Sequence, residues 1–133
     1  MHVLNVDAEV VFQALSDATR IRIMRLLSLN QDEACLCELA ESLDEPEYKL
    51  SRHLKILRQS GLIEAEKDGR WIYHRLVKGN SHLKLLYSYL KQIPDYETRF
   101  KQDNERFEKR KSHRVGGRCK TESAMSPFKK KAK

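Results

Sequence analysis

Cys35 and Cys37, which are separated by a single leucine, are the residues of this sequence whose types and spacing most clearly suggest a chemical role. Their thiolates suit soft ions such as As(III), Cd(II), Pb(II) and Zn(II). In an extended chain both side chains lie on one side, whereas in an α-helix they lie about 200° apart. A regular helix therefore cannot bring both sulfurs to one ion. We expect either that Cys35 lies at a frayed helix start or that the first turn distorts on binding.

Cys119 is the only other cysteine. As(III) prefers three sulfur ligands, so Cys119 either folds back as the third ligand or is idle, with a small thiol or water completing the shell. An odd number of cysteines and a reducing compartment argue against a disulfide framework. A helix N-terminus would lower the pKa of a thiol placed there. A single buried cysteine can also be merely a small core residue.

The stretch from Glu47 to Gly61 predicts one amphipathic helix. Pro46 suits the start of a helix, where its missing N–H would have no partner. Asp44 is a plausible capping acceptor, and Gly61 can take the positive φ that ends a helix. The rest of the sequence is arranged around this helix.

The two faces of this helix differ in chemistry. Its apolar stripe consists of Leu50, Leu54 and Leu57. The other side is basic and rich in hydrogen-bonding groups, which is what a reader of the DNA major groove needs. The candidates for contacts to base edges are Tyr48, Lys49, Ser51 and Arg52. The candidates for contacts to phosphates are Lys55 on the helix and Lys67 and Arg70 further along the chain.

Three shorter helices are predicted before it. They cover 7–15, about 17–29 with Asp17 as N-cap, and 35–43. In the second helix, Arg20, Arg22 and Arg25 are expected to stay outside. Only a few residues separate the third helix from the basic one, and this matches the helix-turn-helix pattern.

Two β-prone runs follow Gly61 and flank Asp68-Gly69, a strong hairpin signal. A helix-turn-helix followed by a hairpin with basic residues at its tip is a winged helix-turn-helix. The fold class predicted is therefore mainly α with a β-hairpin wing.

Residues 81–93 predict a helix with two apolar sides, and the second side carries Leu85 and Tyr89. In so small a domain, such a helix is expected to pack against another copy of the chain, giving a homodimer. The predicted organisation is a DNA-binding and dimerisation domain at 1–94, a charged helix at 95–111 and a flexible basic tail at 112–133. Tyr96, Phe100 and Phe107 form the sparse apolar stripe of the charged helix.

The net charge of +7 comes from the end of the chain. Residues 1–96 carry 13 basic and 14 acidic side chains, whereas residues 97–133 carry 13 and 5. Overall basicity is therefore weak evidence for DNA binding by the folded part. No apolar run approaches a membrane span and the N-terminus does not look like a signal peptide, so we expect a cytoplasmic protein without a membrane partner.

Three runs together resemble the ArsR/SmtB metalloregulators in order and spacing: FQALSDATRIRIMRLL, CLCEL and LSRHLKILRQSGLIEAEKDGRWIYHRL. The likeness covers roughly residues 8–90 and points to the arsenite-sensing subgroup. It implies a dimeric winged-helix repressor that leaves double-stranded operator DNA when a metal or metalloid binds.

The resemblance also bears on the metal sites. Thiolate sensors of the family carry a cysteine pair where this chain has Cys35 and Cys37, so it implies that these two are ligands. Arsenite regulators often add a third cysteine at the position of Ala40, and cadmium regulators recruit cysteines from an N-terminal extension that this chain lacks. A second family site, for zinc, falls near Asn80, His82, Ile93 and Tyr96, where only His82 could bind metal, so that site is expected to be lost.

The main hypothesis is therefore a repressor released by As(III) bound to Cys35 and Cys37, without an organic cofactor and without enzyme activity. A Cd(II) or Pb(II) sensor and a dithiol redox sensor are alternatives on the same scaffold. A dithiol enzyme and a metal-independent DNA-binding module are alternatives from other classes. Strain in the cysteine helix would pass through the short turn to the basic helix.

Overall fold

The computed structural model describes residues 7–116. Within this range the chain forms six helices and three strands: α1 (Ala8–Ala14), α2 (Ala18–Asn30), β1 (Ala34–Cys35), α3 (Leu36–Leu43), α4 (Glu47–Gln59), β2 (Ile63–Asp68), β3 (Trp71–Leu76), α5 (Ser81–Lys91) and α6 (Arg99–Lys111). None of the helices in this part of the chain is long and apolar enough to cross a membrane.

Helix α2 runs through the centre of the domain and packs against α3, α4, α5 and α6. It begins where predicted, because the Asp17 carboxylate accepts the backbone N–H groups of Thr19 and Arg20 at 2.8 and 3.1 Å. Its apolar residues are buried, Ile23 and Met24 completely. Burial of these side chains supplies much of the hydrophobic stabilisation of the core.

Helices α3 and α4 form the helix-turn-helix. The prediction that Asp44 caps α4 is wrong. Asp44 instead ends α3 in the left-handed conformation (φ 55°), and its backbone N–H returns to the carbonyl groups at the end of that helix. Pro46 occupies the N-cap position of α4. The leucine stripe of α4 is buried, and Gly61 follows the helix with φ 84°, as predicted.

The wing is an antiparallel hairpin. Strands β2 and β3 pair from Ile63↔Leu76 to Asp68↔Trp71, so the loop consists of Gly69 and Arg70. Gly69 has φ 67°, a conformation that glycine adopts at no steric cost. The fold is thus the predicted winged helix-turn-helix. The short strand β1, which pairs with β3 on its other side, was not predicted.

Helix α5 has the two faces that the sequence predicted. Leu83, Tyr87 and Leu90 face the core. Leu85 and Tyr89 point away from it and are 71% and 61% exposed in the single chain.

Helix α6, which the sequence predicted as a charged helix, also contributes buried side chains to the core. Phe107 has no exposed surface and Asp103 is 1% exposed, while Tyr96 precedes the helix and is 92% exposed. The prediction that Arg22 stays outside is wrong, since its guanidinium binds both oxygens of Asp103 at 3.0 and 2.9 Å. It also donates to the Leu43 carbonyl at 2.6 Å. Whether residues 1–94, 95–111 and 112–133 are separate units stays a prediction.

His74 is a buried histidine of β3, 3% exposed, with Nδ1 3.4 Å from the carbonyl oxygen of Ala34 in β1. Burial lowers the pKa of His74 from 6.5 to about 4, with a further lowering from the charge of Arg58. The imidazole is therefore neutral in the folded protein at neutral pH.

This burial predicts a loss of stability in mild acid. Above pH 6.5 the histidine is neutral in both states, whereas between pH 6.5 and 4 only the unfolded chain takes up the proton. At pH 5 the free energy of unfolding should be about 2 kcal/mol lower than at pH 8 from this group alone. Chemical denaturation of wild type and His74→Gln at both pH values checks this. If the two proteins lose equal stability on acidification, His74 is not the responsible group.

Candidate functional site

The cysteine pair lies where the wing meets the helix-turn-helix. Cys35 ends β1 opposite Tyr73 of β3, and Cys37 lies in the first turn of α3. The backbone of Cys35 is extended (φ −85°, ψ 165°), so this residue precedes the helix. The two sulfur atoms are 2.9 Å apart. Of the two arrangements expected from the sequence, the structure therefore has Cys35 at the helix start, with its sulfur beside that of Cys37.

Glu38 holds the start of α3 in place. Its carboxylate has no exposed surface and accepts the backbone N–H of Cys35 at 3.1 Å, which is one half of a capping box. Both of its oxygens also accept from the Arg114 guanidinium, at 2.7 and 2.8 Å. Arg114 further binds the Asp32 carboxylate and the Glu33 carbonyl. These bonds fix the chain just before the cysteines.

Arg110 of α6 covers Cys37. Its side chain is nearly buried, with Nη2 3.6 Å from the Cys37 sulfur and Nε 3.0 Å from the Glu41 carboxylate. Burial raises the pKa of the Cys37 thiol, and the nearby charge of Arg110 opposes this rise. The predicted lowering of the thiol pKa at the helix start is therefore wrong for Cys37, because desolvation outweighs the favourable charge.

Among residues 7–116, no three His, Cys, Asp or Glu side chains converge in an arrangement that could hold a metal ion. The cysteine pair thus brings two sulfur atoms together in this part of the chain. Cys119 lies outside the described residues.

Six of the seven predicted contact residues are exposed. Tyr48, Ser51, Arg52 and Lys55 are exposed along α4, and Lys67 and Arg70 are exposed at the tip of the wing. Lys49 differs from them, since it is half-buried and bound to the Glu45 carboxylate at 3.0 Å.

Two further side chains near this surface have structural partners. His53 lies 3.1 Å from the Arg20 guanidinium and 3.8 Å from the Asp17 carboxylate, so it is the packing and hydrogen-bonding residue expected. The wing carries acidic residues behind its basic tip. Glu64 and Glu66 both bind Arg75, at 3.0 and 2.7 Å, so that one positive charge partly compensates their two negative charges.

Sequence reasoning missed the charged residues that surround the cysteine helix: Arg22, Glu38, Asp103, Arg110 and Arg114. One signal was available, because Cys35-x-x-Glu38 has the spacing of a capping box. The other contacts join residues more than 70 positions apart, which no local pattern reveals.

Comparisons of the sequence show what the chain resembles. The profile described as "Bacterial regulatory protein, arsR family" matches residues 17–65. The arsenical resistance operon repressor of Escherichia coli (strain K12) is 46% identical over 66 residues, which are 50% of this chain and 56% of that protein. An uncharacterized HTH-type transcriptional regulator of Methanocaldococcus jannaschii is 36% identical over 70 residues, 53% of this chain and 78% of that protein. A cadmium resistance transcriptional regulatory protein homolog of Staphylococcus aureus is 36% identical over 80 residues, covering 60% and 64% of the two chains.

The chain therefore spans little more than half the length of the Escherichia coli relative. Among solved structures, HlyU from Vibrio cholerae superimposes with a TM-score of 0.57 and 27% identity, over 65% of this chain and 89% of that one.

Proposed function

Because this chain belongs to the arsR family of bacterial regulatory proteins, we propose that it is a transcriptional repressor that responds to a thiophilic metal or metalloid ion. The observation that carries this proposal is the position of the cysteine pair. Its two sulfurs lie 2.9 Å apart at the start of the helix that precedes the exposed, basic face of α4. Membership of a family of regulatory proteins also argues against the alternative that the chain is a dithiol enzyme.

We propose As(III) as the inducer, held by Cys35 and Cys37. The donor chemistry fits, since thiolate sulfur is the ligand type that a soft ion of this kind prefers. The similarity to an arsenical resistance repressor supports this choice, and the similarity to a cadmium regulator keeps Cd(II) and Pb(II) as the alternative, with Zn(II) as the less favoured ion. Cys119 remains the candidate for a third ligand.

The chain supplies a direct route from the cysteines to α4. Cys35 is joined to the wing strand β3, and Cys37 belongs to α3, so a bond to both sulfurs ties the wing to this helix. Cys35 and Cys37 must lose their protons when they become ligands. A shift of the first turn of α3 reaches α4 through only three residues, Asp44 to Pro46. We propose that this shift spoils the fit of α4 to DNA.

The decisive experiment is a titration of the reduced protein bound to a fluorescent duplex from upstream of its own gene. Arsenite, Cd(II), Pb(II), Zn(II) and the oxidant diamide are added to wild type, Cys35→Ser, Cys37→Ser and Cys119→Ser. Arsenite should raise the DNA Kd of wild type by about tenfold or more. The first two variants should not respond, and the third reports whether Cys119 is a ligand.

Other outcomes of this titration have defined meanings. Stronger release by Cd(II) or Pb(II) identifies the alternative ion. Release by diamide alone identifies a redox sensor. Release that is unaffected by all three substitutions contradicts the proposal and leaves a metal-independent DNA-binding module.

For the DNA surface, we propose that Tyr48, Lys49, Ser51 and Arg52 reach base edges in the major groove. Lys55, Lys67 and Arg70 are proposed to bind phosphates. The support is that all of these side chains except Lys49 are exposed on α4 or at the wing tip. In addition, Arg75 partly compensates the charge of the acidic pair of the wing. Lys49 would have to leave Glu45 in order to reach DNA.

Two substitutions separate the two kinds of contact. Arg52→Ala should cost about 1–3 kcal/mol of binding to the operator and reduce discrimination against unrelated DNA. Lys67→Ala should weaken binding to all sequences and lower the slope of log Kd against log salt by about 0.9 for each phosphate that is no longer neutralised. Anisotropy titrations at several salt concentrations measure both effects. The control is Lys101→Ala, which changes an exposed residue of α6. If all three substitutions weaken DNA binding equally, the assignment of these contacts is contradicted.

We also propose that the repressor is a homodimer formed through the exposed side of α5. The support is that Leu85 and Tyr89 expose most of their apolar surface on a helix whose other side is buried in the core. Leu85→Glu should therefore leave the fold intact, produce monomers in analytical ultracentrifugation and weaken operator binding by about 100-fold, because a monomer reaches only one half-site. Ser81→Glu adds the same charge at an exposed position of α5. Leu85→Glu protein that sediments like wild type would contradict this interface.

A further inference from the structure

The C-terminal arm, defined here as α6 with residues 112–114, holds α3 at both of its ends. Residues of the arm bind the cysteine end of α3, and other residues of the arm bind the end that leads into the turn. The arm also lies outside residues 17–65, the range that the family profile matches.

At the cysteine end, Arg114 acts through Glu38. Its guanidinium binds both oxygens of the fully buried Glu38 carboxylate, and the same carboxylate accepts the backbone N–H of Cys35. A bidentate pair, in which a guanidinium donates two hydrogen bonds to one carboxylate, fixes the relative orientation of the two groups. Arg114 therefore helps to fix the Glu38 carboxylate, and through it the backbone N–H of Cys35, at the first turn of α3.

At the other end, Asp103 acts through Arg22. The Arg22 guanidinium, held by both oxygens of Asp103, donates to the carbonyl of Leu43, the last residue of α3. The neighbouring Arg106 donates to the Ser42 carbonyl at 2.7 Å. Two carbonyl groups at the end of α3 thus find their partners through the arm.

The contacts continue into α4. Arg22 also binds the carboxylate of Glu45 in the turn at 3.3 Å, and the other oxygen of Glu45 binds Lys49 in the first turn of α4 at 3.0 Å. A chain of charged groups thus joins α6 to α4 through Asp103, Arg22, Glu45 and Lys49.

We propose that Arg114 positions the cysteine pair and that Asp103 positions α4. The C-terminal arm, which contains both residues, thereby couples inducer binding to DNA release. This inference rests on the proposed function. In this inference the C-terminal arm contacts both ends of α3. A shift at the cysteine end is therefore carried through the arm to the end of α3 that leads into the turn.

The test separates inducer binding from its effect on DNA. Arsenite binding to the DNA-free, reduced protein is followed by ultraviolet thiolate absorbance, and the DNA Kd is measured with and without saturating arsenite. Cd(II) takes its place if that is the ion that releases wild type. The variants are Arg114→Gln, Asp103→Asn and Glu45→Gln, and the matched controls are Lys109→Gln and Glu105→Gln at exposed positions of α6.

Arg114→Gln should raise the inducer Kd of the DNA-free protein by about tenfold, because Cys35 is no longer held. Asp103→Asn and Glu45→Gln should bind the inducer within about twofold of wild type, yet the change in DNA Kd that the inducer causes should fall by about fivefold or more. Both controls should behave like wild type. Since Asp103→Asn can fail to fold, circular dichroism melts accompany each variant, and Glu45→Gln, which changes a half-buried turn residue, then decides.

Two results would overturn the inference in distinguishable ways. If wild type responds to the inducer and both Asp103→Asn and Glu45→Gln respond equally well, the arm does not carry the coupling, while the proposed function stands. If wild type does not respond to any ion, the proposed function fails and this inference fails with it.

Discussion

The buried ion pair between Arg22 and Asp103 is the contact on which the arrangement of this domain depends. It joins positions 81 residues apart and has almost no exposure on either side chain. Burying two charges is costly unless they are paired and fully hydrogen-bonded, and here Asp103 offers both oxygens while Arg22 also satisfies the end of α3. Removing either partner would take away the main counter-charge of the other and leave Arg22 with only Glu45, or Asp103 with only Arg106. The pair therefore specifies one position for α6, alongside α3.

That position explains the environment of the cysteines. Because α6 lies along α3, Arg110 reaches the Cys37 sulfur and Arg114 reaches Glu38. The cysteine pair is consequently a joint between three parts of the chain: the wing strand β3, helix α3 and the C-terminal arm. Under the proposed function, a displacement caused by an ion bound at the cysteines would therefore pass to three packed parts of the chain.

Much of the fold could be predicted from local patterns. The leucine stripe of α4, the Asp17 cap and the Asp-Gly hairpin depend on neighbouring residues, and all three appear as expected. The position of Cys35 at a helix start was one of two arrangements left open by the spacing of the pair. The errors lie where tertiary contacts override local preference. Arg22 looks like a solvent-facing arginine until Asp103 is brought beside it, and Asp44 looks like a cap for α4 until α3 ends on it. The roles of Arg110 and Arg114 depend on the same long-range packing, and the sequence around each of them contains no sign of the cysteines.

The proposed function requires that a change at the cysteine pair reaches α4 through α3. Amide hydrogen exchange of the reduced, DNA-free protein, measured with and without one equivalent of arsenite per chain, tests this most directly. If the two are coupled, arsenite alters the exchange at the start of α3 and also in the turn at 44–46 and the first turn of α4. Altered exchange confined to the residues beside Cys35 and Cys37, with the turn and α4 unchanged, would contradict it.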